Sequence, residues 1–297
     1  MDSQLNHFLQ RAEAALVRIE PLLPAVRVAL DWQHVIAARW QREGRGGYLQ
    51  PLHVSLDLSL ADLVGVDAQR EQLARNTRQF VKGLPANHAL LWGARGTGKS
   101  SLVRALLAEH AQAGLRLIEI ERDHLADLPK VVEALAGLPQ RFVLFCDDLS
   151  FESGEGDYRV LKTVLDGSLE RAPDNLLLYA TSNRRHLVPE KESDNDNWQR
   201  VEGELHPSEA VEDKIALSDR FGLWLSFYPF TQDHFLAVVR HWIEVLAGQA
   251  GLHWQWSHEL EILAIRWALG RGNRNGRCAY QFARSWVGQQ LLEVAGD

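Results

Sequence analysis

The sequence predicts an α/β fold, in which a parallel β-sheet carries helices on both faces. Long apolar runs without polar alternation are separated by segments of helical periodicity, and buried parallel strands have this pattern. From Thr231 onward only helical periodicity occurs. We therefore expect an N-terminal helical region over residues 1–60, an α/β domain over 61–230 and a C-terminal helical subdomain over 231–297.

A phosphate-binding loop lies between a predicted strand and a predicted helix. Residues 93–100 read Gly-Ala-Arg-Gly-Thr-Gly-Lys-Ser, which fits the pattern of Gly, four residues, Gly, Lys and Ser or Thr. The apolar run 88–92 precedes the loop, and the helical segment 101–108 follows it. Closely spaced glycines let backbone N–H groups surround an anion, Lys99 reaches the β and γ phosphates, and Ser100 ligates Mg²⁺. We expect a P-loop NTPase sheet whose phosphate contacts come from Gly93, Ala94, Arg95, Gly96, Thr97, Gly98, Lys99, Ser100 and Ser101.

The composition excludes several classes of protein. The 297 residues are 46% hydrophobic and 24% charged, as in ordinary globular proteins. The two cysteines, Cys146 and Cys278, lie far apart in apolar or helical segments, which excludes a disulfide framework and indicates a reducing compartment. The sequence contains no run of about 18 apolar residues and no basic start followed by an apolar stretch. We therefore expect a cytoplasmic protein without a membrane segment.

The net charge of −7 is concentrated in one segment. Residues 190–213 carry nine acidic and two basic residues, which accounts for the whole excess, so the rest of the chain is neutral. A dedicated nucleic-acid-binding protein would carry a basic footprint instead. We expect this acidic, aperiodic segment to be a mobile surface loop.

The first 60 residues are expected to be helical. Apolar residues recur at helical spacing over 5–20 and again over about 24–42, and the glycine-rich stretch 43–47 then predicts a flexible joint. Trp32 and Trp40 lie in the second stretch, where we expect them to pack against other residues rather than to bind a partner.

The segment before the first core strand is a candidate base-binding element. Residues 60–67 read Leu-Ala-Asp-Leu-Val-Gly-Val-Asp and precede an amphipathic helix over 68–82. A chain segment at this distance ahead of a phosphate loop can lie across the base of a bound nucleotide. Val64 and Gly65 are therefore expected to contact the nucleotide.

Two further strands bring acidic residues to the same edge of the sheet. Strands are predicted over 115–120 and 141–146, with a helix capped by Asp127 between them. Asp147 and Asp148 follow the second of these strands directly. Because ligands of parallel sheets bind at the carboxyl ends of the strands, both acids should face the phosphate loop.

The two acids are expected to have different roles. Asp147 is placed to hold Mg²⁺, and Asp148 is placed to orient the attacking water. Glu152 is the alternative residue for the second role.

The remaining strands complete the sheet. A helix over 158–171 is followed by a strand over 176–183, which ends at Asn183. Asn183 can hydrogen-bond the γ phosphate or the attacking water. The last core strand is predicted over 223–228.

The C-terminal subdomain is predicted to be a lid of three helices. They span about 231–247, 257–269 and 277–294, with Thr231 and Ser257 as N-caps. Its tryptophans are expected in its core, and they are Trp242, Trp254, Trp256, Trp267 and Trp286.

In this order the motifs resemble those of the AAA+ ATPases, and among them most closely a bacterial group of unassigned function. The resemblance extends from Leu60 to the C-terminus. The matching pieces are LADLVG, LLWGARGTGKSSL, FVLFCDDLSFE, YATSNRRHL, LSDRFGLWLSF and NGRCAYQF.

The resemblance implies a role for several side chains. It implies that Lys99 and Ser100 are Walker A residues, that Asp147 and Asp148 are Walker B residues, and that Asn183 is sensor 1. Arg220 looks like the arginine finger, which in this family reaches into a neighbouring subunit's site. Arg277 looks like sensor 2 on the helical lid, with Arg274 as the alternative.

The sequence also departs from the family pattern in two places. Asp148 stands where the family usually has Glu and is one methylene shorter, so the rate of hydrolysis is open. Residues 121–127 lack the aromatic residue beside a glycine that protein-threading members carry, which argues against a peptide translocase.

We therefore expect a homo-oligomeric ATPase that uses ATP and Mg²⁺ to remodel or load a macromolecular partner, a protein rather than a nucleic acid. A nucleotide-gated binding module with little hydrolysis is the first alternative, and the short acid Asp148 favours it. A small-molecule kinase of the P-loop type is the second alternative, which the helical lid and Arg220 argue against.

Overall fold

The computed structural model describes residues 7, 11, 13, 29–44, 46–149, 160–162, 165, 173–183, 199–201, 204–206 and 219–295. The strands are β1 (Ala37–Glu43), β2 (Gly46–Pro51), β3 (Ala89–Gly93), β4 (Leu115–Glu119), β5 (Arg141–Cys146), β6 (Leu176–Ser182), β7 (Gln199–Val201), β8 (Glu204–His206) and β9 (Leu223–Phe227). The helices are α1 (Asp67–Val81), α2 (Lys99–His110), α3 (Leu128–Leu135), α4 (Gln232–Ala250), α5 (His258–Gly270) and α6 (Gly276–Ala295). None of the helices in these ranges is long and apolar enough to cross a bilayer.

The chain divides into two compact units, Met1–Asp31 and Trp32–Asp297. In the first unit His7, Arg11 and Glu13 are α-helical, as the spacing over 5–20 predicts. The second unit contains all of the strands and helices named above.

The central sheet has seven strands in the order β2-β1-β4-β5-β6-β3-β9. Every neighbouring pair is parallel except β1 and β2. The apolar runs of β3, β5 and β6 are buried, as expected for parallel strands covered on both faces. The predicted α/β fold is confirmed, and the carboxyl ends of β3, β5 and β6 lie side by side at one edge of the sheet.

The N-terminal region differs from the expected helices. Residues 37–51 form a β-hairpin, in which β1 pairs antiparallel with β2 and parallel with β4. Pairing with the sheet edge satisfies the β1 backbone and buries Ala37 and Ala38, and this outweighs the helical spacing over 24–42. The expected flexible joint is the tight turn of this hairpin, with Gly44 at a φ of +56°.

Trp32 and Trp40 pack as predicted. They are 8% and 4% exposed, and the ring of Trp32 meets Phe142 of β5 edge-on at 5.0 Å between centroids. The buried Arg116 donates 2.8 Å hydrogen bonds to the carbonyls of Trp32 and Ala111, which fastens the chain before β1 to the end of α2.

Asp127 lies at the N-cap position of α3, but its carboxylate does not cap the helix. It accepts hydrogen bonds from Trp40 Nε1 (3.3 Å), Arg42 Nε (2.7 Å) and Lys130 Nζ (2.8 Å). Burial acts to raise the pKa of Asp127, but the bonds from Lys130, Arg42 and Trp40 outweigh it and lower the pKa to about 2. The capping residue predicted from sequence therefore links the hairpin to α3.

Parts of two other predictions fall within the described residues. Val160, Leu161, Lys162 and Leu165 are helical, in agreement with the helix expected over 158–171, whose other residues lie outside the described ranges. In the acidic segment, β7 and β8 form a two-stranded antiparallel sheet where a loop was expected, and the rest of 190–213 lies outside the described ranges.

The C-terminal subdomain consists of α4, α5 and α6, as predicted. The side chains of Thr231 and Ser257 accept hydrogen bonds from the N–H groups of His234 and Leu260, so both predicted N-caps are present. Helices α4 and α6 pack around a buried core that includes Phe235, Ile243, Ala279 and Phe282. The predicted core tryptophans are partly buried against it, and they are Trp242, Trp254, Trp256, Trp267 and Trp286.

Candidate functional site

The phosphate loop connects β3 to the N-terminus of α2, as the sequence predicts. Gly93 has a φ of +130°, and a Cβ atom there would lie 2.0 Å from the carbonyl oxygen of Phe227 in β9. The Ala94 N–H donates to that same oxygen at 2.9 Å. Only glycine fits at position 93, because β9 passes directly beside the start of the loop.

The first turn of α2 presents backbone donors. The N–H groups of Gly98, Lys99 and Ser100 have no hydrogen-bond partner in the described part of the chain. They lie at the positive end of the α2 dipole. This arrangement suits an anion such as phosphate.

Lys99 is folded into the loop and is only 7% exposed. Its Nζ atom donates to the carbonyls of Gly93 (2.9 Å) and Ala94 (2.8 Å) and lies 3.5 Å from Asn183 Oδ1. Burial lowers the pKa of Lys99, and the nearby carboxylates Asp147 and Asp148 oppose this shift. The ammonium group therefore lies between the loop and the end of β6.

Asp147 lies beside the hydroxyl group of Ser100, the last residue of the phosphate-loop motif. Ser100 Oγ donates to Asp147 Oδ1 at 2.6 Å, and Thr181 Oγ1 donates to the same oxygen at 2.5 Å. A hydroxyl and a carboxylate are oxygen ligands of the kind that Mg²⁺ takes, and Mg²⁺ sites in nucleotide-binding proteins use few protein ligands. Among the described residues, no three His, Cys, Asp or Glu side chains lie together in a way that could hold a metal ion. A metal ion at Ser100 and Asp147 would therefore take its other ligands from a bound molecule, such as phosphate oxygens. The donor set fits Mg²⁺ bound together with a nucleotide.

Asp148 has the left-handed backbone conformation, with a φ of +55°. Its N–H donates to Thr181 Oγ1 at 2.9 Å, and its carboxylate accepts a hydrogen bond from Asn183 Nδ2. Its other oxygen lies 3.9 Å from the Arg95 guanidinium, and both side chains are largely exposed. The carboxylate therefore lies between Asn183 and Arg95. Its alternative, Glu152, lies outside the described residues.

Thr181 is a site residue that the motifs did not reveal. It is 2% exposed, and its hydroxyl contacts both Asp147 and the Asp148 backbone. The only sequence signal is that β6 ends in the polar residues Thr181 and Ser182, with Asn183 directly after it. The role of Thr181 depends on the register of β5 against β6, in which Cys146 pairs with Ala180.

The lid contacts the phosphate loop directly. Asn275 Nδ2 donates to the Arg95 carbonyl at 3.2 Å, and the Gly276 N–H donates to the Gly96 carbonyl at 2.8 Å. A cleft of about 430 Å³ lies beside this contact. It is lined by Ala94, Arg95, Thr97, Pro229, Phe230, Ala268, Leu269, Gly272, Asn273, Arg274 and Asn275.

The two arginines considered for sensor 2 differ in position. Arg274 lines the cleft beside the phosphate loop. Arg277 is exposed in the first turn of α6 and is not among the lining residues. The candidate that faces the cleft is thus Arg274.

Val64 and Gly65 lie against helix α4 of the lid. His234 Nε2 lies 2.9 Å from the Val64 carbonyl, and since a carbonyl only accepts, this ring nitrogen carries the proton. Further along the same helix, His241 Nε2 lies 3.0 Å from the Asp62 carboxylate. Gly65 has a φ of +78°, and a Cβ there would lie 1.9 Å from His234 Nε2. Two histidines of the lid therefore hold this segment.

Arg220 lies away from the phosphate loop of its own chain. It precedes β9, which runs parallel to β3 with Leu223 opposite Ala89 and Phe227 opposite Gly93. The loop follows Gly93, so Arg220 precedes the end of β9 that lies away from the loop, and the four residues from Leu223 to Phe227 span roughly 13 Å at about 3.3 Å each. The structure thus brings together Lys99, Ser100, Asp147, Asp148 and Asn183 but not Arg220.

The sequence matches one family model over most of its length. Residues 33–290 match the family described as "Protein of unknown function (DUF815)". The replication factor C large subunit of Staphylothermus marinus is 27% identical over 114 residues, which cover 36% of this chain and 26% of that protein. The match thus spans about a quarter of the length of this curated relative.

Solved structures of RuvB from Thermotoga maritima have a similar fold. One single-residue variant has a TM-score of 0.50 and 15% identity over 76% of this chain and 63% of its own chain. A second variant has a TM-score of 0.50 and 16% identity over 76% of this chain and 64% of its own chain. The match therefore spans a little under two thirds of the length of these RuvB chains. At this identity the likeness concerns the fold, which is that of the AAA+ type of P-loop NTPase.

Proposed function

The chain belongs to the DUF815 family of proteins of unknown function and has an AAA+ fold, and on these premises we propose that it is an ATPase. It binds ATP with Mg²⁺ and couples binding and hydrolysis to the remodelling or loading of a macromolecular partner. The fold alone would not support this activity, because the same fold hosts different functions. The proposal rests on the site.

One observation carries the proposal. Ser100 of the loop and Asp147 after β5 are hydrogen-bonded at 2.6 Å, and Lys99 lies between the loop and Asn183. Hydroxyl, carboxylate, ammonium and amide groups from three neighbouring strand ends thus converge beside the backbone N–H groups that begin α2. Phosphoryl transfer to water depends on this combination of parts.

Each residue then has a defined task. Ser100 and Asp147 would hold Mg²⁺, which when bound neutralises charge on the β and γ phosphates. Lys99 would leave the Gly93 and Ala94 carbonyls to contact phosphate oxygens. Asp148 and Asn183, already hydrogen-bonded to each other, would orient the attacking water.

Arg220 would act in a neighbouring copy of the chain. The strand register supports this role, because Arg220 precedes the end of β9 that lies away from its own phosphate loop. A guanidinium that reaches the γ phosphate from a neighbour stabilises developing charge and can increase the rate by orders of magnitude. We therefore propose a homo-oligomer whose sites lie between subunits, in the cytoplasm.

The test is phosphate release measured against protein concentration. We expect turnover per chain to rise with concentration, and Lys99→Ala and Arg220→Ala to abolish it. Lys99→Ala should also lose ATP binding, whereas Arg220→Ala should retain it. An absence of turnover at all concentrations, or variants indistinguishable from the unaltered chain, would contradict the proposal.

A nucleotide-gated binding module is the second candidate. The contacts of Asp148 favour it, because its short carboxylate is engaged by Asn183 and lies near Arg95. This function predicts tight ATP binding and a change in shape without turnover. Asp148→Glu, which restores the missing methylene, would then increase phosphate release.

The partner is proposed to be a protein. The chain has a net charge of −7, and its excess of acidic residues lies in the one segment 190–213. The electrostatic field of the chain therefore does not attract a polyanion such as a nucleic acid. Affinity purification with the Asp148→Asn variant, which should bind ATP without hydrolysing it, is the experiment that would identify the partner.

A further inference from the structure

We propose that Asn275 is a positioning residue that couples the lid to the phosphate loop. By holding the loop through its backbone, it makes nucleotide binding and lid attachment a single linked equilibrium. This inference rests on the proposed nucleotide site, but the contact itself can be tested without nucleotide.

Asn275 uses both ends of its side-chain amide. Its Oδ1 accepts from the Cys278 N–H at 2.9 Å and so caps α6, while its Nδ2 donates to the Arg95 carbonyl at 3.2 Å. The next residue adds a backbone bond, from the Gly276 N–H to the Gly96 carbonyl at 2.8 Å. The start of the last lid helix is thereby joined to two consecutive carbonyls of the loop.

The four carbonyls of residues 93–96 are all engaged. Lys99 Nζ bonds the carbonyls of Gly93 and Ala94, Thr97 Oγ1 also bonds that of Ala94, and the lid bonds those of Arg95 and Gly96. The N–H groups of residues 98–100 remain for an anion. When Lys99 turns to a phosphate, the Thr97 bond still holds the Ala94 carbonyl, and the lid contacts still hold the carbonyls of Arg95 and Gly96.

The fit between lid and loop is tight at two glycines. A Cβ on Gly96 would lie 2.6 Å from the Asn275 Cγ, and Gly96 has a φ of +76°. A Cβ on Gly276 would lie 3.1 Å from the Gly96 carbonyl and 3.8 Å from the Phe230 ring. The two backbones touch, so a shift of the loop must move the start of α6.

Substitutions at this position can separate capping from coupling. Asp caps helices well, but its carboxylate carries no proton to donate to the Arg95 carbonyl. Asn275→Asp additionally places a carboxylate against a carbonyl oxygen. Asn275→Asp should therefore keep the cap of α6 and weaken the contact between lid and loop, whereas Asn275→Ala should weaken both the cap and the contact.

The experiment is residue-resolved hydrogen exchange on the full chain without nucleotide. In Asn275→Asp we expect the Gly276 N–H to exchange roughly five- to tenfold faster, as the loss of one hydrogen bond predicts, with the Cys278 N–H unchanged. Ser257→Ala is the matched control, because it removes a cap of the same lid whose hydroxyl bonds the Leu260 N–H rather than the loop. An unchanged Gly276 rate in Asn275→Asp, or an equal acceleration in Ser257→Ala, would overturn the proposal.

The coupling is then measured with Mg²⁺·ADP as the probe. ADP should slow Gly276 exchange in the unaltered chain, and Asn275→Asp should bind ADP several-fold more weakly, because linkage is reciprocal. Equal ADP affinity in the two chains would overturn the coupling. Lys99→Ala separates the proposed nucleotide site from the proposed contact of Asn275. If Lys99→Ala binds ADP as well as the unaltered chain does, the proposed nucleotide site is wrong. The exchange experiment without nucleotide then still tests whether Asn275 holds the lid to the loop.

Discussion

Thr181 connects the two acids of the site through one hydroxyl group. It donates to Asp147 Oδ1 at 2.5 Å and accepts from the Asp148 N–H at 2.9 Å. Thr181→Val keeps the shape but leaves the Asp148 N–H without its acceptor and removes one of the two hydrogen bonds to Asp147 Oδ1, which costs about 1–3 kcal/mol of folding stability. Because Thr181 orients a proposed metal ligand, phosphate release should fall roughly 10- to 100-fold. Urea unfolding and phosphate release measure the two effects.

Thr181→Ser is the control for this prediction. It keeps the hydroxyl and loses only a methyl group, so it should retain most of the activity. Equal losses in the Ser and Val variants would show that the methyl group, and not the hydroxyl, is what the site needs.

The sequence motifs predict the side chains proposed to contact phosphate or Mg²⁺ directly. They do not predict the side chains that hold those residues in place. Lys99, Ser100 and Asp147 belong to a pattern with fixed spacing, and the structure brings them together. Thr181 and Asn275 are ordinary polar residues in sequence. They matter because of strand register and lid docking, which bring together residues up to 180 positions apart.

At the scale of elements, the lid helix α4 packs closely against the segment 60–67 at Gly65. Gly65→Ala should disrupt this contact, since its Cβ would lie 1.9 Å from His234 Nε2 and its backbone has a positive φ. We expect a loss of about 1–3 kcal/mol in stability, measured by thermal or urea unfolding.

A double-mutant cycle provides the check on that prediction. His234→Ala removes the ring that a Cβ at position 65 would strike, so the two substitutions together should cost less than the sum of each alone. Strict additivity would show that the cost of Gly65→Ala comes from its backbone conformation and not from the lid.

The hairpin is tied to α3 through Asp127, and this link should depend on pH. The pKa of Asp127 falls from 3.8 to about 2 on folding, so its contribution is fully present above about pH 4 and is lost as the pH falls toward 2. The two values correspond to about 2 kcal/mol. Asp127→Asn should flatten the acid limb of the unfolding free energy over this range, as measured by urea unfolding at several pH values. An acid limb in Asp127→Asn identical to that of the unaltered chain would contradict the assignment.

The hairpin is also where sequence reasoning about elements was wrong. Helical spacing over 24–42 is a local signal, but β1 is stabilised by parallel pairing with β4 and by an Arg39–Glu119 ion pair at 3.0 Å. These partners are 80 residues apart in the chain. The helices α1 and α2 and the three lid helices were predicted correctly because their stabilising pattern is local.

At the scale of the whole molecule, the proposed oligomer makes a prediction about mixtures. Neither Lys99→Ala nor Arg220→Ala should hydrolyse ATP alone. When they are mixed and allowed to exchange subunits, an Arg220→Ala chain with its intact loop can receive Arg220 from a Lys99→Ala neighbour. Random mixing should restore about a quarter of the unaltered rate, because each site needs one chain of each kind in the right order.

This mixture distinguishes an arginine that acts between subunits from one that acts within a chain. If Arg220 served its own site, mixing would restore nothing. Phosphate release at a fixed total concentration, with the ratio of the two variants varied, measures the difference.

The hairpin also has a practical consequence for anyone who trims the chain. Residues 1–60 would be an obvious piece to remove if they were a detachable appendage, but 37–51 complete the sheet. Without them, the row of backbone groups on β4 that pairs with β1 would be open to any other strand, and open edges of this kind promote aggregation. The carboxylate of Asp127 would lose its bonds to Trp40 and Arg42 in the same step. A soluble nucleotide-binding fragment should therefore begin before β1 and not at the first motif.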